Sequence, residues 1–189
     1  MIPGLILERA CRPVGLGEAT YDDQRVYRYR LSRAWDDTRP GLCWIMLNPS
    51  TATAEIDDRT TARVVSFSRA WGYGSSMVVN LFAVRARWPG TLARVRDPVG
   101  PRNDGAILEA ASSCARVVAA WGNHGTIANP DTGIPRCEEV RHLLASWSLE
   151  LSCLTVTDRG QPGHPLYLAA SATPTPLDQA LGSSPARIS

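Results

Sequence analysis

The sequence of 189 residues contains no lysine, so all 20 of its basic side chains are arginines. It lacks a G-x-G-x-x-G motif after a strand, and it has neither a Walker loop nor the lysine that would complete one, which argues against P-loop phosphoryl transfer. No G-x-S-x-G motif supports a nucleophile-elbow hydrolase. None of the three histidines lies near a cysteine at ligand spacing. We therefore predict no metal site and no cofactor.

Long apolar runs and paired cysteines are missing as well. No stretch approaches the ~20 consecutive apolar residues of a transmembrane helix, so we expect no membrane partner. Residues 1–9 include Glu8 and no basic region before a long apolar run, so we expect no signal peptide. The five cysteines are scattered without a C-x-x-C pair, which is typical of reduced thiols in a cytoplasmic protein. The net charge of +2 gives no support for non-specific nucleic-acid binding.

Length and an apolar fraction of 44% predict one α/β domain over residues 1–172. Residues 1–38 are predicted to form an antiparallel hairpin, in which residues 5–10 pair with the alternating residues 24–33 and residues 12–17 form the turn. In that alternation Arg25, Arg28 and Arg30 are expected on the solvent-exposed face. Residues 173–189 are rich in proline and glycine and are predicted to be a flexible tail.

Apolar runs alternate with helical patterns through residues 40–172, the predicted core. Buried strands are predicted over residues 42–47, 76–82, 116–121 and 151–155, and helices over residues 57–71, 103–113 and 138–147. This alternation is typical of a parallel sheet that is covered on both faces. The sequence therefore predicts a three-layer α/β/α fold with a central, mostly parallel four-stranded sheet beside the N-terminal hairpin.

Polar or small residues stand at the end of each predicted strand. They are residues 48–51, Asn80, residues 121–125 and residues 163–167. Because ligands of parallel sheets bind outside the carboxyl ends of the strands, we expect these four segments to meet around one cleft shaped for a flat heterocycle.

The loop after the first predicted core strand supplies the first candidate residues, Asn48, Pro49, Ser50 and Thr51. This loop is either a strand-ending turn or an active-site loop in which Asn48 orients a water molecule and the loop amides bind an anion. Asp57 and Asp58, taken singly, are helix caps. As a pair at the mouth of the cleft, one of them would serve as a general base if its pKa rises.

Asn80 lies among apolar neighbours in a strand that should be buried, so it either belongs to a structural network or reads the edge of a base. His164 is followed by Pro165, which restricts the backbone and suits a held catalytic side chain, although a lone histidine is more often structural. The remaining candidates for substrate binding follow the third and fourth strands, and they are Trp121, Gly122, His124 and Tyr167. The aromatic rings among them either stack on a base or belong to the core.

The connection over residues 84–102 is rich in proline, glycine and arginine. Its arginines are Arg85, Arg87, Arg94, Arg96 and Arg102. They form either a phosphate-binding lip beside the cleft or a solvated loop.

Taken together, these motifs resemble the bacterial and phage family named domain of unknown function 1643. The ordered matches span residues 40–170: Met-Leu-Asn-Pro-Ser-Thr-Ala at 46–52, Asp-Asp at 57–58, Trp-Gly-Tyr-Gly at 71–74, Val-Asn-Leu-Phe-Ala at 79–83, Asp-Pro-Val-Gly at 97–100, Asn-Asp at 103–104, Ala-Trp-Gly-Asn-His-Gly at 120–125 and His-Pro-Leu-Tyr-Leu at 164–168. The family name implies no activity.

The order of the motifs is also similar, more weakly, to that of the uracil-DNA glycosylase superfamily. This resemblance implies a water-activating loop at residues 47–49, a base-reading Asn80, a third strand at residues 118–122 and a late loop at residues 164–165. The chain departs from that pattern in three places. No glycine precedes the first loop, the late loop reads His-Pro-Leu-Tyr instead of His-Pro-Ser, and an iron–sulfur cysteine set is lacking.

The resemblance implies an N-glycosidase, or a related enzyme, that acts on a nucleobase turned out into a pocket. Asn80 would hold the base edge and Asn48 would position water, while the amides of residues 50–52 and His164 would stabilise charge on the departing base. Two alternatives stay open, a non-catalytic nucleotide or nucleic-acid binder on the same scaffold and an enzyme of small-metabolite chemistry. The expected partner is a nucleobase, a nucleotide or DNA.

Overall fold

Eight strands form one mixed sheet within residues 4–182, the part of the chain that this computed structural model describes. The strands are β1 (Leu5–Cys11), β2 (Leu16–Asp22), β3 (Arg28–Ala34), β4 (Gly41–Met46), β5 (Ser75–Asn80), β6 (Arg116–Ala119), β7 (Leu151–Cys153) and β8 (Thr175–Pro176). Their order across the sheet is β1-β2-β3-β5-β4-β6-β7-β8. The β5–β4, β4–β6 and β6–β7 pairings are parallel, and the other four pairings among these strands are antiparallel.

The predicted fold class, a three-layer α/β/α fold with a central, mostly parallel four-stranded sheet and a separate hairpin, is therefore wrong. The N-terminal strands belong to the same sheet, because β3 pairs antiparallel with β5 and places Leu31 opposite Val78. A four-stranded sheet would have left the edge of β5 unpaired, with exposed backbone amides and carbonyls. Here β3 covers that edge, and β8 covers the outer edge of β7.

The predicted hairpin pairing is also wrong. β1 pairs with β2, a strand that was not predicted and that begins inside the predicted turn, and β2 in turn pairs with β3. The buried positions of β2 are Gly17, Ala19 and Tyr21, so two of its three inward residues are too small to give a strong apolar signal. Gly17 must be small, since a Cβ atom there would lie 2.0 Å from the carbonyl oxygen of Ala54.

Helices cover both faces of the sheet. They are α1 (Arg59–Ala70), α2 (Asn103–Ser112), α3 (Arg136–Ser146) and the short α4 (Leu177–Gly182), joined by 3₁₀ segments at Pro89–Arg94, Gly122–Thr126 and Pro165–Tyr167. The predicted helices over residues 57–71, 103–113 and 138–147 correspond to α1, α2 and α3. These helices lie close to their predicted bounds because their cap and periodicity signals are local in the sequence.

Alternating residues of β4 separate the core into two apolar clusters. Trp44 packs toward Val64 and Phe67 of α1, in the cluster on one face of the sheet. Ile45 packs with Ile107 of α2 in the cluster on the other face. Both faces of β4 are therefore buried, which explains its continuous apolar run and fixes α1 over the strand ends that follow.

Part of the predicted flexible tail, residues 175–182, forms regular secondary structure. Thr175 and Pro176 form β8, and the next residue, Leu177, begins α4 and is only 2% exposed. Burial of this leucine in the core cluster below α2 and α3 holds the segment against β7. The remainder of the predicted tail, residues 183–189, lies outside the described residues. No helix in the described part of the chain is long and apolar enough to cross a membrane.

Candidate functional site

A cleft of about 470 Å³ lies on the α1 face of the sheet, at the ends of β4 and β5. The first turn of α1 and the segments that follow β4, β6 and β7 complete its walls. The predicted site residues that line this cleft are Asn48, Ser50, Asp58, Asn80, Trp121, Gly122, His124, His164 and Tyr167. Segments that are far apart in the sequence therefore meet at one cavity, whose volume suits a small molecule.

Three predicted residues lie outside the cleft lining. Pro49 is buried, and its carbonyl accepts a hydrogen bond from the Ala86 amide at 3.0 Å. Thr51 is exposed to solvent. Asp57 is held in ion pairs by Arg33, at 2.8 Å, and by Arg12. Pro49 and Asp57 thus anchor the loop to the neighbouring backbone and to β3, and the structure places all three residues outside the cleft lining.

Two hydrogen bonds from its amide nitrogen hold the side chain of Asn48 in place. The Nδ2 atom donates to the carbonyl oxygen of Pro49 at 3.0 Å and to that of Ala86 at 2.6 Å. These two bonds use both hydrogens of the amide group, so the Oδ1 atom is the remaining polar atom and can only accept. Asn48 thus offers the cleft a hydrogen-bond acceptor on a rigid loop.

Asn80 is the last residue of β5 and is 1% exposed. Its Nδ2 atom has no hydrogen-bond partner among the described residues. The backbone around it is firmly held, because Nδ2 of Asn103 donates to the carbonyl oxygens of Asn80, at 3.0 Å, and of Leu81, at 2.9 Å. An unpaired buried amide costs free energy, so this group is prepared for an acceptor that a ligand brings.

Asp58 caps the N-terminus of α1 at the wall of the cleft. Its Oδ1 atom accepts hydrogen bonds from the amide of Thr61, at 2.8 Å, and from its hydroxyl, at 2.9 Å. The cap orients the carboxylate, because its first oxygen is fixed on the helix. Asp58 therefore combines a structural role with a negative charge at the cleft.

His164 follows β7 and caps the 3₁₀ segment Pro165–Tyr167. Its Nδ1 atom accepts a hydrogen bond from the Leu166 amide at 3.3 Å, so the proton of the neutral ring is on Nε2. Burial lowers the pKa of His164 below its usual value, and the charge of Asp58 opposes this shift only in part. At neutral pH the ring is therefore uncharged and carries one N–H donor.

Trp121 forms part of the wall and is 2% exposed. Its Nε1 atom donates to Oε1 of Gln161 at 2.9 Å, which satisfies the buried indole. The ring lies directly against the backbone of Gly125, where a Cβ atom would be 2.2 Å from the indole Cδ1 atom. The Gly-Asn-His-Gly segment is thus shaped by the packing of this tryptophan.

Gly122, His124 and Tyr167 lie nearer the surface. Gly122 has a φ of +70°, a conformation that glycine adopts without strain, and His124 is exposed in the 3₁₀ segment that follows. Tyr167 is 86% exposed, and its ring centroid lies 5.6 Å from that of His164. An aromatic ring left so exposed at the mouth of a cleft is available to contact a ligand.

Arg28 is a cleft residue that the sequence does not reveal, because the alternation of its strand predicts it on the solvent-exposed face. Arg28 lines the cleft and is only 3% exposed. Its Nη1 atom donates to the carbonyl oxygen of Ala52 at 2.6 Å, which ties the loop after β4 to β3. The alternation of arginines with apolar residues gave no signal for this position, because a tertiary contact decides which arginine is buried.

Few arginines of the connection over residues 84–102 are placed to form a phosphate-binding lip at the cleft. Arg87 lines the cleft. Arg85 lies over the ring of Tyr21, at 5.5 Å from its centroid, and Arg94 and Arg96 are exposed. The interpretation as a phosphate-binding lip is therefore supported by Arg87 but not by a set of arginines turned toward the cleft.

One comparison with known proteins finds a match, and the matched residues cover most of the cleft lining. Within residues 4–182, no group of three or more His, Cys, Asp or Glu side chains is placed to hold a metal ion. No curated protein and no solved structure matches the chain, and no comparison shows the similarity to uracil-DNA glycosylases. One family model matches residues 28–166, which is more than half of the chain and includes every cleft segment from Arg28 to Leu166. The chain therefore belongs to the family described as "Protein of unknown function (DUF1643)".

Proposed function

We propose that this protein is an N-glycosidase that hydrolyses the bond between a nucleobase and its sugar in the cleft at the ends of β4 and β5. One observation carries the proposal. The unpaired, buried amide of Asn80 lies in the same cavity as Asn48, Asp58 and His164, although these residues come from separate parts of the chain. The residues supply a base-edge donor, a water acceptor, a carboxylate and a neutral imidazole donor.

Asn80 recognises the base. A carboxamide presents a donor and an acceptor side by side, which matches the edge of a pyrimidine or purine. The Nδ2 donor of Asn80 is without a partner among the described residues, and its backbone is held by Asn103. A donor that is already desolvated and fixed loses little entropy when a base carbonyl binds it.

Asn48 and Asp58 orient and deprotonate the water molecule that attacks the sugar. The Oδ1 atom of Asn48 is its remaining acceptor and orients the water molecule for attack on the C1′ atom of the sugar. Asp58 accepts a proton from that water as the new oxygen–carbon bond forms. The cap on Thr61 occupies Oδ1 of Asp58, so its second carboxylate oxygen takes this proton.

His164 acts on the leaving group. As the C1′–N bond breaks, its electron pair passes to the base and negative charge develops on the base carbonyl oxygen. The Nε2–H group of neutral His164 donates a hydrogen bond to that oxygen, which stabilises the transition state more than the ground state. The departing base then takes up one proton from solvent while Asp58 returns its proton to solvent, so the net reaction adds water across the C1′–N bond and leaves the free base and a sugar with a hydroxyl at C1′.

The test is release of free base from nucleosides, nucleotides and short oligonucleotides, followed by chromatography. We expect Asn80→Ala and His164→Ala each to lower the rate by roughly 100- to 1,000-fold, as is typical for the loss of one preorganised donor. His142→Ala is the matched control, since His142 is exposed on α3 and outside the cleft lining. It should leave the rate unchanged.

Unfolding curves separate catalysis from structure. Asn80→Ala and His164→Ala should change the melting temperature little, and large destabilisation by both would assign these side chains to the fold instead. Binding of a base or nucleotide without any release of free base would refute the enzymatic proposal and leave a binding protein.

A further inference from the structure

Three arginines in the described chain are buried, and one of them differs from the other two. Arg33 and Arg136 are 4% and 2% exposed, and each pairs with a carboxylate. Arg28 is 3% exposed, but no carboxylate of the described residues lies within 4.0 Å of its guanidinium. Its Nε atom is buried without a hydrogen-bond partner there, and Nη1 alone has one, the carbonyl oxygen of Ala52.

Such an arginine is costly for the fold. Removing a guanidinium from water without a counter-charge disfavours the folded state, unless a partner supplies the missing bonds. Burial lowers the pKa of Arg28 to about 10, so the group is still cationic at neutral pH. Asp58 offsets this charge only from beyond the distance of an ion pair, and the guanidinium lies at the wall of the cleft and not in the apolar core.

The neighbours of Arg28 in the cleft are suited to an anion. Ser50 lines the cavity, and its amide and hydroxyl make no hydrogen bond with the described residues. Asp58 is the acidic residue of the lining, but its Oδ1 atom is bonded to Thr61 and no oxygen of Asp58 is in contact with Arg28. Arg87 adds a second positive charge at the exposed side.

We propose that Arg28 and Ser50 form an anion subsite inside the cleft, and that this subsite binds a phosphate monoester of the substrate. The inference rests on the proposed function for the nature of the remainder of the substrate, a nucleoside. The subsite defines the class of substrate further, as a nucleoside monophosphate or the phosphorylated end of an oligonucleotide. Both carry a phosphate monoester.

Burial favours a monoester over an internal phosphodiester. A guanidinium that is 3% exposed is reached only by a group that enters the cavity, and a terminal phosphate enters with one covalent connection. An internal phosphodiester needs room for the chain on both sides, and contacts with duplex phosphates are made at an exposed surface. The cavity of about 470 Å³ holds one small ligand, not a polymer.

The experiment measures binding by isothermal titration calorimetry with the full chain. Deoxyuridine and the common deoxynucleosides are compared with their 5′-monophosphates, at constant ionic strength set with sodium chloride. We expect each monophosphate that binds to do so roughly 10- to 100-fold more tightly than its nucleoside, as a charge-assisted phosphate contact would give. This preference should vanish in Arg28→Met and shrink in Arg28→Lys, which keeps the charge but loses the planar fork.

Arg116→Met is the matched control, because Arg116 is exposed at the start of β6 and outside the cleft lining. It should keep the full preference for the monophosphate. Inorganic phosphate gives a test that needs no variant, since a saturating amount should weaken binding of the monophosphate to the level of the nucleoside. Equal binding of nucleoside and monophosphate by the wild type, or a preference that survives in folded Arg28→Met, would overturn the subsite.

Two further results separate the sources of the phosphate and the two proposals. A preference for 5′-phosphorylated over unphosphorylated dinucleotides extends the subsite to oligonucleotide ends, and its absence restricts the subsite to free nucleotides. If inorganic phosphate binds in an Arg28-dependent way but no substrate releases a base, the subsite stands and the N-glycosidase proposal fails. If bases are released and phosphate does not bind, the N-glycosidase proposal stands and the anion subsite fails.

Discussion

Replacement of Arg136 by methionine tests the polar network that joins α2 and α3 to the end of β5. Arg136 begins α3 and is 2% exposed. Its Nε atom donates to the carbonyl oxygen of Leu81 at 2.9 Å, its Nη1 atom donates to Glu139 at 3.0 Å, and its Nη2 atom pairs with Asp104 of α2. One side chain therefore joins two helices to the residue that follows Asn80.

The expected loss in the free energy of unfolding depends on which hydrogen bonds each partner of Arg136 keeps in the variant. The carbonyl of Leu81 keeps its bond from Asn103, so losing the guanidinium there costs about 1 kcal/mol. Glu139 is 14% exposed and keeps Thr132 and Asn129, but it loses its cation, which costs about 2 kcal/mol. Asp104 is 56% exposed and contributes at most about 0.5 kcal/mol. Arg136→Met should thus lower the free energy of unfolding by about 3 kcal/mol, at the lower end for a broken buried ion pair.

Urea unfolding followed by circular dichroism measures this change, and a melting curve should show a shift of roughly 6–12 °C for a chain of this size. Arg141→Met is the control on the same helix, because its pairing with Asp178 joins side chains that are 43% and 93% exposed. It should change the stability by less than about 0.5 kcal/mol. If Arg136→Met loses no more than its control, the network does not stabilise the fold and the reasoning is wrong.

Other substitutions test the cleft wall. Gly125→Ala should destabilise by about 1–3 kcal/mol and alter tryptophan fluorescence, because the new Cβ would overlap Trp121, whereas Gly105→Ala in α2, with nothing within 4 Å, should stabilise by about 0.5–1 kcal/mol. Asp58→Ala should lower the stability by about 1 kcal/mol through the lost helix cap, and Asp58→Asn should restore most of it in the same urea assay. Burial lowers the pKa of His164 from its usual 6.5, so the unfolded chain binds that proton more readily and stability falls as the pH drops below about 6.5. Urea titrations at about pH 7.5 and about pH 5.5 should show a larger loss for wild type than for His164→Asn, and equal losses would contradict the shifted pKa.

The sequence revealed those parts of the fold whose signals are local. Continuous apolar runs such as that of β4 and helix caps such as Asp58 depend on neighbouring residues, and the strands and helices they predicted are present. The pairing of β3 with β5 depends on residues more than 40 positions apart, and no local pattern encodes it. β2 was missed for a related reason, because close approach of the Ala54 backbone requires a small residue at Gly17 in place of a larger apolar one.

The candidate site divides in the same way. Asn48, Asn80 and His164 were recognisable because a polar residue at the end of an apolar strand is conspicuous, and parallel strands bring such ends together. Asp57 and Asp58 are neighbours in sequence, but only Asp58 lines the cleft, since Asp57 is taken by Arg33 and Arg12. Arg28 stayed hidden because an arginine in a half-exposed strand is ordinarily solvated, and its burial follows from its contact with the loop at Ala52.

The contrast between Arg136 and Arg28 gives a last prediction about stability. Both are buried, but Arg136 has carboxylate partners and Arg28 has none within 4.0 Å among the described residues. Arg28→Met loses one bond to the carbonyl of Ala52, about 1 kcal/mol, and relieves the desolvation of an unpaired charge, which costs several kcal/mol. The variant should therefore be at least as stable as wild type in the urea assay. A loss of about 3 kcal/mol, as for Arg136→Met, would mean that Arg28 serves the fold, and its lack of an ion pair would then no longer point to a ligand.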